Sequence, residues 1–398
     1  MDSLPDRIIP AYKGTATETD LLSLSWPKPP RNILLVRKDC SPIVTDALLE
    51  FAKRHVKDTY HDINILMEHQ TAEEEHEKLS FPVYIADQGE SYLKTIQQKA
   101  DMTATFGGDG TILHASALFA AVKCVPPMLS FSMGTLGFLG EWKFIEYKRA
   151  FREVYMSGSG IGGRHQQLED QPRHRPEATG WSSVRGKSMG SSREAKVLMR
   201  NRLKVGVYDA DGTPISSGGT TPANEVVHAM NEVIIHRGQD PHLAIVKVYV
   251  GGRFLTEAVA DGMIIATPTG STAYSLSSGG SIIHPLVPSL LLTPICPRSL
   301  SFRPLILPAT TPITLELSEK NRGREVEVSV DGIRRARGIG VGMQLRVSGE
   351  EVSTSTERPY GGVPCVMRMT RGVGNGDEGW VGGLNGLLKF NYPFGEEI

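Results

Sequence analysis

A glycine-rich turn lies between a strand pattern and a helix pattern. The apolar stretch from Met102 to Phe106 leads into Gly107-Gly108-Asp109-Gly110-Thr111, and a helical pattern from Ile112 to Val122 follows. Adjacent glycines allow a tight turn and bring the backbone close to a ligand. Their N–H groups, with those that open the helix, can hold an anion. The segment therefore predicts a strand–turn–helix unit with an anion site at the turn.

A carboxylate lies in the middle of this turn. Asp109 would repel a phosphate unless it binds a metal, accepts a proton from a hydroxyl or bonds a sugar. The residues alone leave these three roles open. Each of them indicates phosphoryl chemistry rather than phosphate binding alone.

Strand and helix patterns alternate over the first 150 residues. Strands are predicted at Ile33–Val36, Ile63–Met67, Met102–Phe106 and Pro127–Phe131, and helices at Asp46–Val56 and Leu93–Ala100. This alternation predicts a parallel sheet with ligands at the carboxyl ends of its strands. The glycine turn falls at such an end, as does a second glycine loop, Gly134–Phe138. Residues 1–30 are polar and predict an irregular arm.

The pattern changes after about residue 150. Residues of about 160–196 contain Gly, Ser, Pro, Arg and Gln without an aliphatic run, which predicts a mobile insertion. Period-two alternation then leads to turns at Asp211-Gly212, Gly251-Gly252 and Asp331-Gly332, which is typical of an antiparallel sandwich. Helically spaced apolar residues predict a closing helix (Trp380, Leu384, Leu387 and Leu388).

Composition narrows the possible partners and compartments. The net charge of −1 argues against a nucleic-acid partner, and no apolar stretch approaches the roughly 20 residues of a membrane span. The four widely separated cysteines favour reduced thiols over disulfides or a zinc site. The N-terminus has neither a clear mitochondrial presequence nor an apolar signal core. We therefore expect an intracellular protein.

Hydroxyl side chains are dense from Thr267 to Ser277, shortly after Asp261-Gly262. In a strand-to-helix loop they could bond phosphate, ribose or an adenine edge. A helix cap needs only one hydroxyl, so this density favours a binding function. Asn231-Glu232 could bond adenine and ribose, although such a pair alone is more typical of a polar strand start.

Two weaker groups could also meet phosphates. His114 follows the glycine turn by one helical turn, and a surface or packing role is favoured for it. The segment Arg334–Arg337 is more typical of a solvated turn. The chain has no Walker A motif, protein-kinase motif set or nucleophile elbow.

Together these motifs resemble those of NAD kinases, in particular the fungal ATP-dependent branch that includes NADH kinases. The resemblance runs from about Asn32 to the C-terminus, apart from the insertion. The glycine turn alone is shared with diacylglycerol-type lipid kinases and 6-phosphofructokinases. The run Thr-Pro-Thr-Gly-Ser-Thr-Ala-Tyr, from Thr267 to Tyr274, is far more specific, and it co-occurs with Asn231-Glu232.

The resemblance implies a Rossmann-like parallel α/β domain (31–150), an antiparallel β-sandwich domain (151–350) and a C-terminal segment (351–398) that returns to the first domain. It implies transfer of the ATP γ-phosphoryl group to the 2′-hydroxyl of the adenosine ribose of NAD or NADH, with a divalent cation such as Mg²⁺, in a homo-oligomer. Asp109 is then the base. The residues implied to bind nucleotide are Gly107, Gly108, Gly110, Thr111, Asn231, Glu232, Asp261, Thr272, Ala273, Tyr274, Ser275 and Ser277.

Two other functions stay open. A lipid kinase could use the same glycine turn, but it would need an apolar or basic membrane-facing surface, which the sequence does not show. A sensor could bind NAD(H) without turnover, but it has no need of Asp109. The kinase interpretation requires the Asp109 carboxyl to lie near the loop around Thr272. The sequence does not decide between the mitochondrial matrix and the cytoplasm, or between NAD and NADH.

Overall fold

The computed structural model describes residues 4–14, 21–60, 62–85, 91–134, 137–159, 194–215, 226–354 and 359–368, with Trp380, Leu384 and Leu388. Most of the predicted insertion lies outside the described residues, as do Thr135 and Leu136 of the second glycine loop and Leu387 of the predicted closing helix. The three described positions of that helix are helical.

The first part of the chain alternates strands and helices. Its strands are β1 (Ala11–Gly14), β2 (Leu22–Ser25), β3 (Asn32–Arg37), β4 (Asn64–Met67), β5 (Val83–Tyr84), β6 (Met102–Gly107), β7 (Met128–Ser132), β8 (Trp142–Lys143) and β9 (Lys196–Arg200). Its helices are α1 (Pro42–Glu50), continued by a π-helical segment (Phe51–Lys57), α2 (His69–Glu75), α3 (Ser91–Lys99), α4 (Asp109–Ala117) and α5 (Tyr147–Met156). Short 3₁₀ turns occupy His76–Lys78 and Phe144–Glu146.

The second part is dominated by strands. They are β10 (Leu203–Tyr208), β11 (Val227–Ala229), β12 (Glu232–His236), β13 (Ala244–Val250), β14 (Arg253–Ala260), β15 (Gly262–Ala266), β16 (Ser289–Ile295), β17 (Leu305–Pro308), β18 (Ile313–Leu317), β19 (Glu325–Val330), β20 (Ile333–Arg334), β21 (Ile339–Gly340), β22 (Gln344–Gly349) and β23 (Val363–Val366). A 3₁₀ turn (Thr269–Thr272) and a short helix, α6 (Tyr274–Ser277), lie between β15 and β16.

The first sheet has the order β1-β2-β9-β23-β7-β6-β3-β4-β5, with β8 beside β7. The strands from β23 to β5 are parallel, which confirms the predicted α/β domain. Residues of β3 are buried along its whole length, as expected of a parallel strand covered on both faces. The C-terminal segment returns to this sheet through β23, which pairs with β7 and β9.

The N-terminal arm differs from the irregular segment that was predicted. Strands β1 and β2 form an antiparallel pair, with Tyr12 opposite Leu24, and β2 pairs with β9 at the sheet edge. Trp26 is buried and donates its indole N–H to the Val154 carbonyl at 2.9 Å. The arm contributes Tyr12, Leu24 and Trp26 to the apolar core, and the alternation of Leu22, Leu24 and Trp26 with serines was the signal available in the sequence. Strand β9 begins at Lys196, where the predicted insertion of about 160–196 ends.

Two antiparallel sheets form the predicted sandwich. Their orders are β11-β10-β22-β18-β13-β14 and β17-β16-β15-β12-β19-β20, with β21 beside β19. Inward-facing residues of both sheets share one apolar core. At the hairpin between β19 and β20, Asp331 and Gly332 have φ angles of 48° and 78°, which a two-residue primed turn requires.

Candidate active site

The glycine turn joins β6 to α4 at the carboxyl edge of the parallel sheet. Gly107 has a φ of 154°, and a Cβ there would overlap the Thr111 hydroxyl, so a larger residue does not fit. A Cβ at Gly108 or at Gly110 would meet no described atom within 4 Å outside its chain neighbours and its own helix backbone. This face of the turn is therefore open to a ligand at the N-terminus of a helix, where an anion is favoured.

The carboxylate of Asp109 is held by the second glycine loop. Its Oδ2 accepts the backbone N–H of Phe138 at 2.9 Å, and its Oδ1 accepts that of Leu139 at 3.1 Å. A Cβ at Gly137 would overlap this carboxylate. The absence of a side chain at Gly137 thus lets the loop close on Asp109 and fix its orientation.

A buried guanidinium connects this loop to the hydroxyl-rich loop, residues 267–277. Arg200, at the end of β9, directs Nη2 to the Phe138 carbonyl and Nη1 to the Thr269 hydroxyl, both at 3.4 Å. Its side chain is 2% exposed and lies 3.9 Å from the Glu141 carboxylate. Burial raises the pKa of Glu141. One side chain therefore joins the support of Asp109 to the loop that contains Thr272.

The hydroxyl-rich loop packs against the Asn231-Glu232 pair. Thr267 donates its backbone N–H to the Asn231 carbonyl at 2.8 Å and its hydroxyl to the Met230 carbonyl at 2.6 Å. A Cβ at Gly270 would overlap the Asn231 carbonyl, so glycine permits this close approach. The structure thus brings together two motifs that lie well apart in the sequence.

Asn231 and Glu232 have buried polar atoms that no described residue satisfies. The residues are 7% and 6% exposed, and within the described chain the Asn231 Oδ1 and the Glu232 Oε2 accept no hydrogen bond. Their backbone N–H groups are donated to the carboxylate of Asp331, at 2.7 and 3.1 Å. Buried polar side-chain atoms are rarely left without a partner, so this arrangement is suited to a polar ligand.

Burial also changes the acidity of this pair. Burial, and to a lesser extent the nearby Asp331 carboxylate, together raise the pKa of Glu232 to about 7. Burial raises the pKa of Asp331 as well, while the three backbone N–H groups it accepts act in the opposite direction. A ligand that donates a hydrogen bond to Glu232 would stabilise its anion.

The remaining predicted residues divide into two groups. Thr272 donates its hydroxyl to the Thr269 carbonyl at 3.1 Å, and Tyr274 and Ser277 are exposed on the same loop with the partly buried Ala273. The fully buried Ser275 instead exchanges a hydrogen bond with Thr293 at 2.8 Å, so its hydroxyl is used within the fold.

Asp261 lies apart from these residues within the chain. In the pairing of β12 with β15, Glu232 is opposite Ala266 and His236 is opposite Gly262, so Asp261 is at the far end of β15 from Thr267. Its carboxylate pairs with Arg237 at 2.6 Å. The predicted contact of Asp261 with the nucleotide therefore stays a prediction.

Two parts of the chain match known domain families. The ATP-NAD kinase N-terminal domain matches residues 32–158, and the ATP-NAD kinase C-terminal domain matches residues 230–348. The mitochondrial NADH kinase pos5 of Schizosaccharomyces pombe is 39% identical, over 99% of this chain and 85% of its own length. The chain belongs to the NAD kinase family.

Two further relatives agree. The mitochondrial NADH kinase POS5 of Saccharomyces cerevisiae is 34% identical, over 94% of this chain and 84% of its own length. The crystal structure of yeast NADH kinase complexed with NADH has a TM-score of 0.76 at 33% identity, and the match covers 100% of this chain and 98% of that chain. The predicted family, fold and NAD(H) kinase activity with ATP as donor are confirmed.

Sequence reasoning missed several residues that organise the site. Arg200 is the last residue of β9 and follows its aliphatic residues. A charged residue in a buried strand was the signal that could have indicated its role. Asp331 was noticed only as part of a turn, and its acceptance of three backbone N–H groups has no local signature. His114 bonds Glu68 at 2.9 Å, a contact that raises the pKa of His114 and fits the surface or packing role favoured for it.

Proposed function

We propose that the protein transfers the γ-phosphoryl group of ATP to the 2′-hydroxyl of the adenosine ribose of NAD or NADH, and so forms NADP or NADPH. The observation that carries this proposal is the fixed carboxylate of Asp109, which Phe138 and Arg200 connect to the loop packed on Asn231. This arrangement supports a shared site for a nucleotide and a proton acceptor.

Asp109 acts as the general base in this proposal. Its two backbone donors hold the carboxylate in one orientation, so that it accepts the proton of the ribose hydroxyl as the oxygen attacks phosphorus. Phosphoryl transfer depends mainly on positioning and charge stabilisation. Proton abstraction by a positioned base contributes on the order of 10²–10⁴ in rate.

The other residues bind the substrates. The buried amide oxygen of Asn231 accepts a hydrogen bond from the adenine amino group, and the Glu232 carboxylate accepts hydrogen bonds from ribose hydroxyls. The N–H groups at the start of α4, beside the open faces of Gly108 and Gly110, bind phosphate. Thr111 supports the turn. The nucleotide also contacts one side of the hydroxyl-rich loop, formed by the partly buried Thr272 and Ala273 and the exposed Tyr274 and Ser277.

A divalent cation such as Mg²⁺ accompanies ATP. Among the residues that the structure describes, no group of three or more His, Cys, Asp or Glu side chains could hold it. We propose that the cation binds the ATP phosphates, where it would neutralise charge that otherwise repels Asp109.

Assembly and compartment also belong to the proposal. We propose a homo-oligomer, to be checked by light scattering of the purified chain. The two fungal relatives named mitochondrial NADH kinases support a mitochondrial location, which fractionation of the source cells tests. None of the described helices is both long and apolar enough to span a bilayer.

The decisive experiment supplies the purified full chain with ATP and Mg²⁺ and compares initial rates on NAD, NADH and a diacylglycerol. Formation of NADP or NADPH is expected. Phosphorylation of the lipid alone would indicate a lipid kinase, and saturable NADH binding with neither product formed would indicate a sensor. Either outcome overturns the proposal.

A further inference from the structure

A cavity of about 360 Å³ opens at one side of the sandwich. It lies between β10 and β11 of one sheet and β19 to β21 of the other. Its apolar wall includes Val205, Val207, Val227, Val328, Val330 and Met343. Asp109, Asn231 and Glu232 do not line it.

The register of the edge hairpin directs a charged residue into this space. Ser329 pairs with Arg334, and Arg335 donates its backbone N–H to the Val328 carbonyl at 2.8 Å. Arg335 is therefore opposite Val328, and residues opposite each other in a ladder share one face of a sheet. Val328 is 1% exposed in the core between the sheets, so Arg335 faces inward and lines the cavity.

The guanidinium of Arg335 has no hydrogen-bond or ion-pair partner among the residues that the structure describes. The acid that most influences it is Asp331, whose carboxylate already accepts three backbone N–H groups. Arg337 and Glu325 also line this cavity, both from exposed positions. A partly buried cation beside an aliphatic wall is costly without an anion.

We propose that this cavity binds a small amphiphile with an aliphatic body and a carboxylate head. The valine-rich wall contacts the aliphatic body, and the guanidinium of Arg335 donates two parallel hydrogen bonds to the carboxylate. Arg337 adds positive charge at the mouth. The volume is within the roughly 300–1,000 Å³ of typical small-molecule sites.

A segment of the chain itself is the competing occupant. Residues 216–225 join two lining residues, Ile215 and Val226, and lie outside the described part of the chain. Their sequence, Ser-Ser-Gly-Gly-Thr-Thr-Pro-Ala-Asn-Glu, has no Val, Leu, Ile, Met or aromatic side chain to fill an aliphatic space. It does contain Glu225, which could offer Arg335 a carboxylate.

The test measures calorimetric binding of decanoate to the purified full chain, with decanol as the uncharged probe. Decanoate is expected to bind saturably at one site. Arg335→Leu should weaken decanoate binding by about tenfold or more, since a charge-assisted bond is lost, and leave decanol binding unchanged. Arg322→Leu is the matched control, because it removes the same charge from an exposed position outside the cavity and should leave both affinities unchanged.

A second variant keeps the test informative if Arg335→Leu does not fold. Val207→Phe narrows the cavity without changing charge and should weaken binding of both probes. Absence of saturable decanoate binding, or decanoate affinity unaffected by Arg335→Leu in a folded protein, overturns the proposal. So does an experimental structure with residues 216–225 in the cavity and Glu225 on Arg335. These measurements do not depend on nucleotide turnover.

Discussion

At the scale of single residues, the carboxylate of Asp109 combines a chemical role with a structural one. Both oxygens accept backbone N–H groups, from Phe138 and Leu139. An ionised carboxylate fits this arrangement because it only accepts hydrogen bonds. The same two donors leave the carboxylate's remaining lone pairs for a substrate hydroxyl.

Asp109→Asn should lower turnover by about 10²–10⁴-fold while NADH affinity changes little. The amide can accept only one of the two backbone N–H groups, so the other loses its partner at a local cost of about 1–3 kcal/mol. Single-turnover rates and calorimetric NADH titration separate the two effects. Gly137→Ala is the companion variant, because its Cβ displaces a carboxylate that keeps its charge. Near-normal turnover in Asp109→Asn would remove the base from the mechanism.

Glu232 makes the stability of the fold depend on pH. Burial and Asp331 raise its pKa from 4.5 to about 7. The folded protein therefore keeps a proton that the unfolded chain releases, so the contribution of Glu232 to stability is full below pH 4.5 and is lost as pH rises through 7. Relative to Glu232→Gln, the free energy of unfolding of the wild type should fall by up to roughly 3 kcal/mol over this range.

Urea unfolding at pH 4.5, 6, 7 and 8 measures this difference. Asp331 is present in both proteins, so its own raised pKa contributes to both curves. Saturating NADH should reduce the loss in the wild type, because a ribose donor stabilises the anion. A difference between the two proteins that stays constant with pH would contradict a raised pKa at Glu232.

The sequence identified those site residues that belong to compact motifs. The glycine turn and Asn231-Glu232 each carry their signal within a few neighbouring residues. The contacts that organise them do not, because Arg200 meets Thr269 across 69 positions and Asp331 meets Asn231 across 100. The commitment of the Ser275 hydroxyl to Thr293 is equally invisible before the chain folds.

At the scale of elements, the central strands were predictable and the edge strands were not. Parallel strands buried on both faces, such as β3, leave continuous aliphatic runs in the sequence. Strands β1 and β5 lie at the two edges of the first sheet and are short, with four and two residues. Their pairing depends on the strand beside them rather than on their own composition.

The connection between β9 and the two site loops makes Arg200 a positioning residue. Arg200→Met keeps the aliphatic stem but removes the contacts to Phe138 and Thr269. We expect kcat to fall by up to about 10²-fold, with a smaller change in KM, because each loop keeps its own substrate contacts but loses its alignment with the other. Arg200→Lys should restore part of the rate, since one ammonium replaces one of the two contacts.

Arg202→Met is the matched control for this variant. Arg202 is also buried, but it pairs with Glu350 at 2.7 Å and bonds the carbonyls of Phe119 and Val122. Both substitutions should destabilise the fold, because each removes a buried charge from its partners. Only the change at Arg200 should lower kcat per folded molecule. Equal losses of kcat in the two variants would reduce Arg200 to a structural role.

At the scale of the whole molecule, the chain ends stabilise the first sheet from one side. Strand β23 lies between β7 and β9, and β9 in turn pairs with β2 of the N-terminal hairpin. Four strand spacings therefore separate β2 from β6, which is roughly 19 Å at the usual distance between strands. The hairpin can support the fold without contacting the glycine turn that follows β6.

Trp26 tests this separation of stability from catalysis. Its side chain is buried, its indole N–H is donated to the Val154 carbonyl, and its backbone N–H is donated to Ser157. Trp26→Phe should cost about 1–3 kcal/mol, mainly through the unsatisfied carbonyl, and Trp26→Ala about 3–5 kcal/mol through the cavity it leaves. Denaturant unfolding measures both, and kcat per folded molecule should be unchanged. If kcat fell in proportion to the lost stability while the protein remained folded, the hairpin would be coupled to the active site through β9 and Arg200.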